Sequence, residues 1–265
     1  MNTLSKLVEE YEKSTGRKVF AAFVWGSQLT GLDDTNSDLD CIFYIFPWKE
    51  EVYNVQGVKS KEVEVLGNTV VVKDMREFFK ENGDLRHYMC CYSYLFRAEE
   101  YSYFHRDYEV YMEDYCEKVL YESSYGEENA LLREIMGRVT AFDWNKTNGN
   151  RHYRAHHCFY MAGVLQSFLK GYPLYNSVFY DDIVDNDCAP YGMSKKELLA
   201  VKNGSKEFTQ EQRQLIEGDF KELKELARPF LLFFGGRASK ETDYSASYEK
   251  GNYILNLVFK DMFKK

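Results

Sequence analysis

The hydrophobic period changes along the chain, and the changes predict its elements. Leu4, Leu7, Val8 and Tyr11 recur at three- and four-residue steps, which makes one apolar helical face that Ser14-Thr15-Gly16 ends. The short unbroken apolar run 19–25 then reads as a buried strand, and a second run, 39–46, is closed by Pro47. Leu66-Gly67-Asn68-Thr69 is a hairpin turn between the alternating segments 62–66 and 69–73. From about Asp107 the period becomes helical, over 108–121, 127–144, 152–170, 195–201, 210–234 and 248–263. Ser194-x-x-Glu197 and Thr209-x-x-Gln212 are capping boxes, while Gly171 with Pro173 and the pair Gly235-Gly236 stop helices. The expectation is an α+β protein: a small sheet flanked by helices over residues 1–105, and a helical region over 106–265. With four prolines and no low-complexity tract, no linker separates the two, so the reading places the active site between them.

The segment joining the two apolar runs carries the candidate chemistry. Gly26-Ser27 follows the first run directly, and Ser37-Asp38-Leu39-Asp40 opens the second. A glycine lets backbone N–H groups approach a phosphate, and Ser27 adds a hydroxyl donor. Residues two apart in a strand face the same way, so Asp38 and Asp40 share one side. Two carboxylates held so close repel unless a cation lies between them, and a hard divalent ion bridging phosphate oxygens suits that role. The same acidic stretch begins like an EF-hand loop from Asp34, but position six is Leu39 rather than Gly and position twelve is Ile45 rather than Glu.

Gly26-Ser27, Gly31 and Ser37-Asp38-Leu39-Asp40 resemble the nucleotidyltransferase core of the DNA polymerase β superfamily. Lys73-Asp74-Met75-Arg76 and the basic stretch 151–157 are similar to bacterial and phage nucleotidyltransferases labelled RNA-repair-pathway polymerase-β-like proteins. The resemblance implies a mixed sheet with helices and two Mg²⁺ ions at Asp38, Asp40 and a third carboxylate. It also implies transfer of a nucleoside monophosphate from an NTP, with release of pyrophosphate. The acceptor stays open among an RNA 3′ end, a protein hydroxyl and a small molecule, and a non-catalytic nucleotide-binding module is the reading from another class. Gln28 departs from the pattern, since related proteins often carry a basic residue after Gly-Ser.

Asp74 is the favoured third carboxylate, because it ends an apolar strand and matches the subfamily pattern; its alternative role is to cap the helix that follows. Glu62 and Glu64 are the other candidates, although alternation with Val63 and Val65 accounts for them as a solvated face. Arg151 and Arg154 lie three apart at a helix start and are candidates for a shared phosphate contact. His152 and His156 lack the glutamate of a zinc-protease motif and read as hydrogen-bonding residues. Arg76, Arg86, Arg97 and Arg106 follow the sheet region, and no spacing singles out one of them.

A net charge of −8 argues against non-specific duplex binding, which needs a broad basic face, without excluding a local basic groove. No apolar run approaches a membrane span, and because residues 1–18 are polar and amphipathic no signal peptide is expected. The six cysteines form no Cys-x-x-Cys pair. The expectation is a cytoplasmic protein with reduced thiols, no disulfide partner and no membrane contact.

Overall fold

The computed structural model of the protein describes residues 3–35, 37–53, 57–81, 84–125, 130–140, 151–235 and 245–264. The chain divides into one unit made of residues 1–29, 35–122 and 244–265, and a second made of 30–34 and 123–243.

The first unit is built in chain order from α1 (Thr3–Thr15), β1 (Val19–Val24), β2 (Cys41–Ile45), a short α2 (Lys49–Val52), β3 (Lys61–Val65), β4 (Asn68–Asp74), α3 (Met75–Lys80), α4 (Leu85–Tyr101), β5 (Ser102–Phe104) and α5 (Met112–Tyr125). The strands form one mixed sheet in the order β3-β4-β2-β1-β5. Strands β2 and β4 are parallel, and the other neighbours are antiparallel. Leu66 and Gly67 both take positive φ, at 50° and 76°, so β3 and β4 meet in the tight hairpin the sequence predicts.

Alternation along the strands gives the sheet two faces. One carries Ala22, Val24, Cys41, Phe43, Ile45, Val70 and Val72, which pack on Leu4, Leu7, Val8 and Tyr11 of α1. Burial of that stripe is what holds α1 in place, since a 13-residue helix is marginal alone. The other face packs on α3 and α4 through aromatic rings: Phe78 stacks on Phe23 at 5.7 Å and meets Tyr44 edge-on at 5.0 Å.

The second unit holds α6 (Ala130–Thr140), α7 (Arg151–Leu169), α8 (Tyr180–Asp185), α9 (Lys195–Lys202) and α10 (Gln210–Gly235). Its centre is α7, where Phe159 meets Phe220 edge-on at 5.4 Å and stacks on Phe208 at 5.6 Å. Both capping boxes form. Ser194 and Glu197 bond each other reciprocally, as do Thr209 and Gln212.

This division differs from a boundary at residue 105. Helices α5 and α11 (Ser245–Lys264) belong with the sheet, because Gly251 of α11 lies against Phe79 and Tyr115, and Ser247 bonds Glu122. Residues 30–34, from the motif segment, pack within the helical unit instead. The Thr30 carbonyl accepts from the Tyr180 N–H at 3.0 Å, and Lys202 Nζ donates to the Leu32 carbonyl and pairs with Asp34, both at 3.3 Å. The six cysteines are buried free thiols, and no helix among the described residues is long and apolar enough to cross a membrane.

Candidate phosphate and metal site

The site lies at one end of β1 and β2. The Trp25 N–H donates to the Asp40 carbonyl at 2.9 Å, which carries the antiparallel register one step past Val24–Cys41. Partners in a sheet share a face, so Trp25 and Asp40 stand side by side on the face opposite α1. Gly26 then turns away with φ of 76°. A Cβ built on Gly26 would lie 2.6 Å from Asp40 Oδ2, so the turn and the carboxylate approach as closely as only glycine allows.

Burial and then the charge of Asp38 push the Asp40 carboxyl above the usual carboxylate range, with the Arg86 cation pulling against both. Both aspartates keep an exposed edge. Gly26, Ser27, Asp38 and Asp40 are therefore gathered at one sheet end, as the motif spacing predicts.

Asp74 is not with them. Its strand partner is Ile45, five residues along from Asp40, which is about 16 Å of strand. It also sits on the opposite face, with Val70 and Val72 and the α1 core. There its carboxylate accepts from the Arg76 backbone at 2.9 Å as the cap of α3, from Arg76 Nε at 2.8 Å and Nη2 at 2.7 Å, and from the Val58 N–H at 3.0 Å. Burial alone would raise this carboxyl; the bonds from Arg76 and Val58 outweigh burial and hold it below its ordinary value. The third-carboxylate expectation for Asp74 is thus corrected. Asp74 shares the face of Val70 and Val72, and the parallel register with β2 puts that face away from Asp40.

Continued one step past Cys41–Val70, the β2–β4 register brings Asp40 to Thr69 of β4, which pairs with Glu64 of β3. Glu62 and Glu64 are exposed on the Asp40 face. Two strand spacings separate Glu64 from Asp40, about 10 Å, which is wider than one ion's coordination shell. Among the described residues no three His, Cys, Asp or Glu side chains come together as a metal-binding group. Asp38 and Asp40 are oxygen donors that repel each other, and this donor set fits one hard divalent ion completed by substrate oxygens.

Arg154 is exposed on α7, and the side chains of Arg151 and His152 lie outside the described residues. His156 is buried. Arg76 is committed to Asp74, and Arg106 is exposed. The residue that sequence reasoning left unmarked is Arg86, in the first turn of α4, whose Cζ lies 4.5 Å from the centre of the Trp25 ring. Asp84 caps that helix through the N–H groups of Arg86 and His87. No family model, curated protein or solved structure matches the chain.

Proposed function

We propose that the protein is a Mg²⁺-dependent nucleotidyltransferase of the polymerase β type, moving a nucleoside monophosphate from an NTP to an acceptor hydroxyl. The observation that carries this reading is the contact of Gly26 with Asp40 beside Asp38. A glycine turn and a carboxylate pair at the end of one strand pair are two parts a metal–triphosphate complex requires.

Asp38 and Asp40 would hold the ion, and Ser27 with the turn's backbone would receive phosphate oxygens. The Mg²⁺, when bound, screens the phosphate charge and polarises the reacting phosphoryl group. The chain's own part is placement: Asp40 is set against the turn by the Trp25–Asp40 backbone bond, so donor groups and carboxylates converge without rearrangement. The acceptor is an RNA 3′ end, a protein hydroxyl or a small molecule.

A second reading, a nucleotide-binding module without transfer, draws on Thr69. The strand position beside Asp40 carries a hydroxyl where a third carboxylate would complete a two-ion site. One experiment separates the two. The protein is incubated with each α-³²P-labelled NTP, Mg²⁺ and a total RNA and protein extract, beside Asp38→Ala/Asp40→Ala. Label in RNA or protein that disappears in the double variant supports transfer and names the acceptor class. Nucleotide binding without label in RNA, protein or a small-molecule fraction supports the second reading.

A further inference from the structure

The fold brings a cation from α4 to the sheet end that carries the Gly26 turn and Asp40. We infer that Arg86 binds the polyphosphate of the incoming nucleotide, an inference that rests on the nucleotide-binding reading above.

Two relationships place it there. Trp25 and Asp40 are cross-strand neighbours on one face. The Arg86 guanidinium lies over the Trp25 ring at 4.5 Å, so it stands on the residue next to Asp40.

The pairing of the other cations in this unit makes Arg86 distinctive. Arg17 is held by Glu51 with bonds of 2.6 and 3.0 Å, Arg76 by Asp74, and Lys73 by Glu81. Each of these half-buried charges is neutralised by a carboxylate, as removal from water demands. Arg86 is also half-buried, yet no carboxylate among the described residues lies within ion-pair distance of its guanidinium. Stacking on an indole supports the flat face of the cation and leaves its N–H edge for another group. That edge suits two phosphate oxygens at once, a geometry lysine does not offer.

A purely structural Arg86 would act through the stack alone. The two roles differ in what they discriminate. A polyphosphate contact changes the affinity for triphosphates relative to monophosphates, whereas a packing role changes both together or neither.

The test is calorimetric titration of the full chain with each of ATP, GTP, CTP and UTP in MgCl₂, and with the matching monophosphates. Arg86→Gln is expected to weaken triphosphate binding about tenfold or more while leaving monophosphate binding within about twofold, because bonds to a charged group are the strong ones. Arg86→Lys, which keeps charge and stack but loses the fork, is expected to fall between. Equal triphosphate affinity in the native protein and Arg86→Gln overturns the role of Arg86 while leaving the nucleotide reading intact. A parallel loss for mono- and triphosphates in both variants assigns Arg86 to packing and also overturns the inference. If the native protein binds none of the four triphosphates, the nucleotide reading fails and this inference fails with it.

Discussion

Arg76 closes a fork on Asp74: Nε and Nη2 reach the two carboxylate oxygens at 2.8 and 2.7 Å, and the pair seals the start of α3. Asp74 is 2% exposed, so removing one partner strands a buried charge. Asp74→Ala is expected to destabilise the protein by about 3 kcal/mol, read as a lowered urea midpoint. The folded carboxyl titrates below its ordinary value, so its stabilisation is complete above the unfolded carboxylate range near pH 3.9. That stabilisation is lost as pH falls through the lower folded value. Asp74→Asn should flatten this acid limb; an unchanged acid limb in the variant would remove the assignment.

Register separates Asp74 from Asp38 and Asp40, and a cation distinguishes them. Titration with Mn²⁺, followed by its electron spin resonance signal, should show binding weakened about tenfold or more by Asp38→Asn or Asp40→Asn. Asp74→Asn should leave that affinity unchanged, because the residue lies on the other face and about 16 Å along the strand. A drop in Mn²⁺ affinity in a folded Asp74→Asn protein would restore Asp74 to the site.

Gly26 carries two constraints at once, a φ of 76° and a space filled by Asp40 Oδ2. Gly26→Ala must both strain the turn and push the carboxylate aside. The expected outcome is a stability loss of about 1–3 kcal/mol together with a sharply reduced Mg²⁺-dependent affinity for triphosphate. Full affinity in the alanine variant would mean that the close approach of backbone and carboxylate serves no ligand.

Two helical glycines should respond in opposite directions to alanine. At Gly218 of α10 a Cβ would meet nothing within 4 Å, so only backbone entropy and helix propensity change, and Gly218→Ala is expected to stabilise by about 1 kcal/mol. At Gly251 of α11 a Cβ would lie 2.9 Å from the Phe79 ring and 3.3 Å from that of Tyr115. Both rings are buried, so overpacking of about 1–3 kcal/mol exceeds the propensity gain, and Gly251→Ala is expected to destabilise. Thermal melts of the two variants decide it.

His156 and His157 of α7 are held neutral. Burial, then the Lys202 and His157 charges, lower His156 to about 3, and burial, then Arg138, lowers His157 to about 4. An unfolded histidine titrates near 6.5, so between that value and the folded values the unfolded chain binds more protons. The histidines' contribution is therefore complete above about pH 6.5 and falls as the solution is acidified. The urea midpoint should drop from pH 7 to pH 5, before most carboxylates titrate. A midpoint that does not move across this interval would show that the two rings are not buried in solution.

Much of the architecture was legible from local pattern. The stripe Leu4-Leu7-Val8-Tyr11, the two apolar runs, the hairpin at Leu66-Gly67 and both capping boxes each depend on residues within one or two turns of one another, so spacing alone reports them. Helix α4 was not legible. Tyr88 through Ser93 are buried in succession, and a helix covered on nearly all sides shows no polar face to mark its period. The three-residue β5 was missed because so short a segment has no pattern.

The chain's order likewise places Gly26, Ser27, Asp38 and Asp40 at adjoining strand ends, since a strand, a connection and an antiparallel strand return the backbone to its starting edge. Tertiary structure decided everything that turned on register and on long-range packing. It sent Asp74 to the far face, where it caps α3 and binds Arg76. It set Thr69 beside Asp40, and it joined α11 to the sheet across more than a hundred residues of chain. It also laid Arg86 on Trp25. A side chain's face follows from its own strand, but its neighbours follow from which strands pair and in which direction, and that depends on burying both faces of the sheet together.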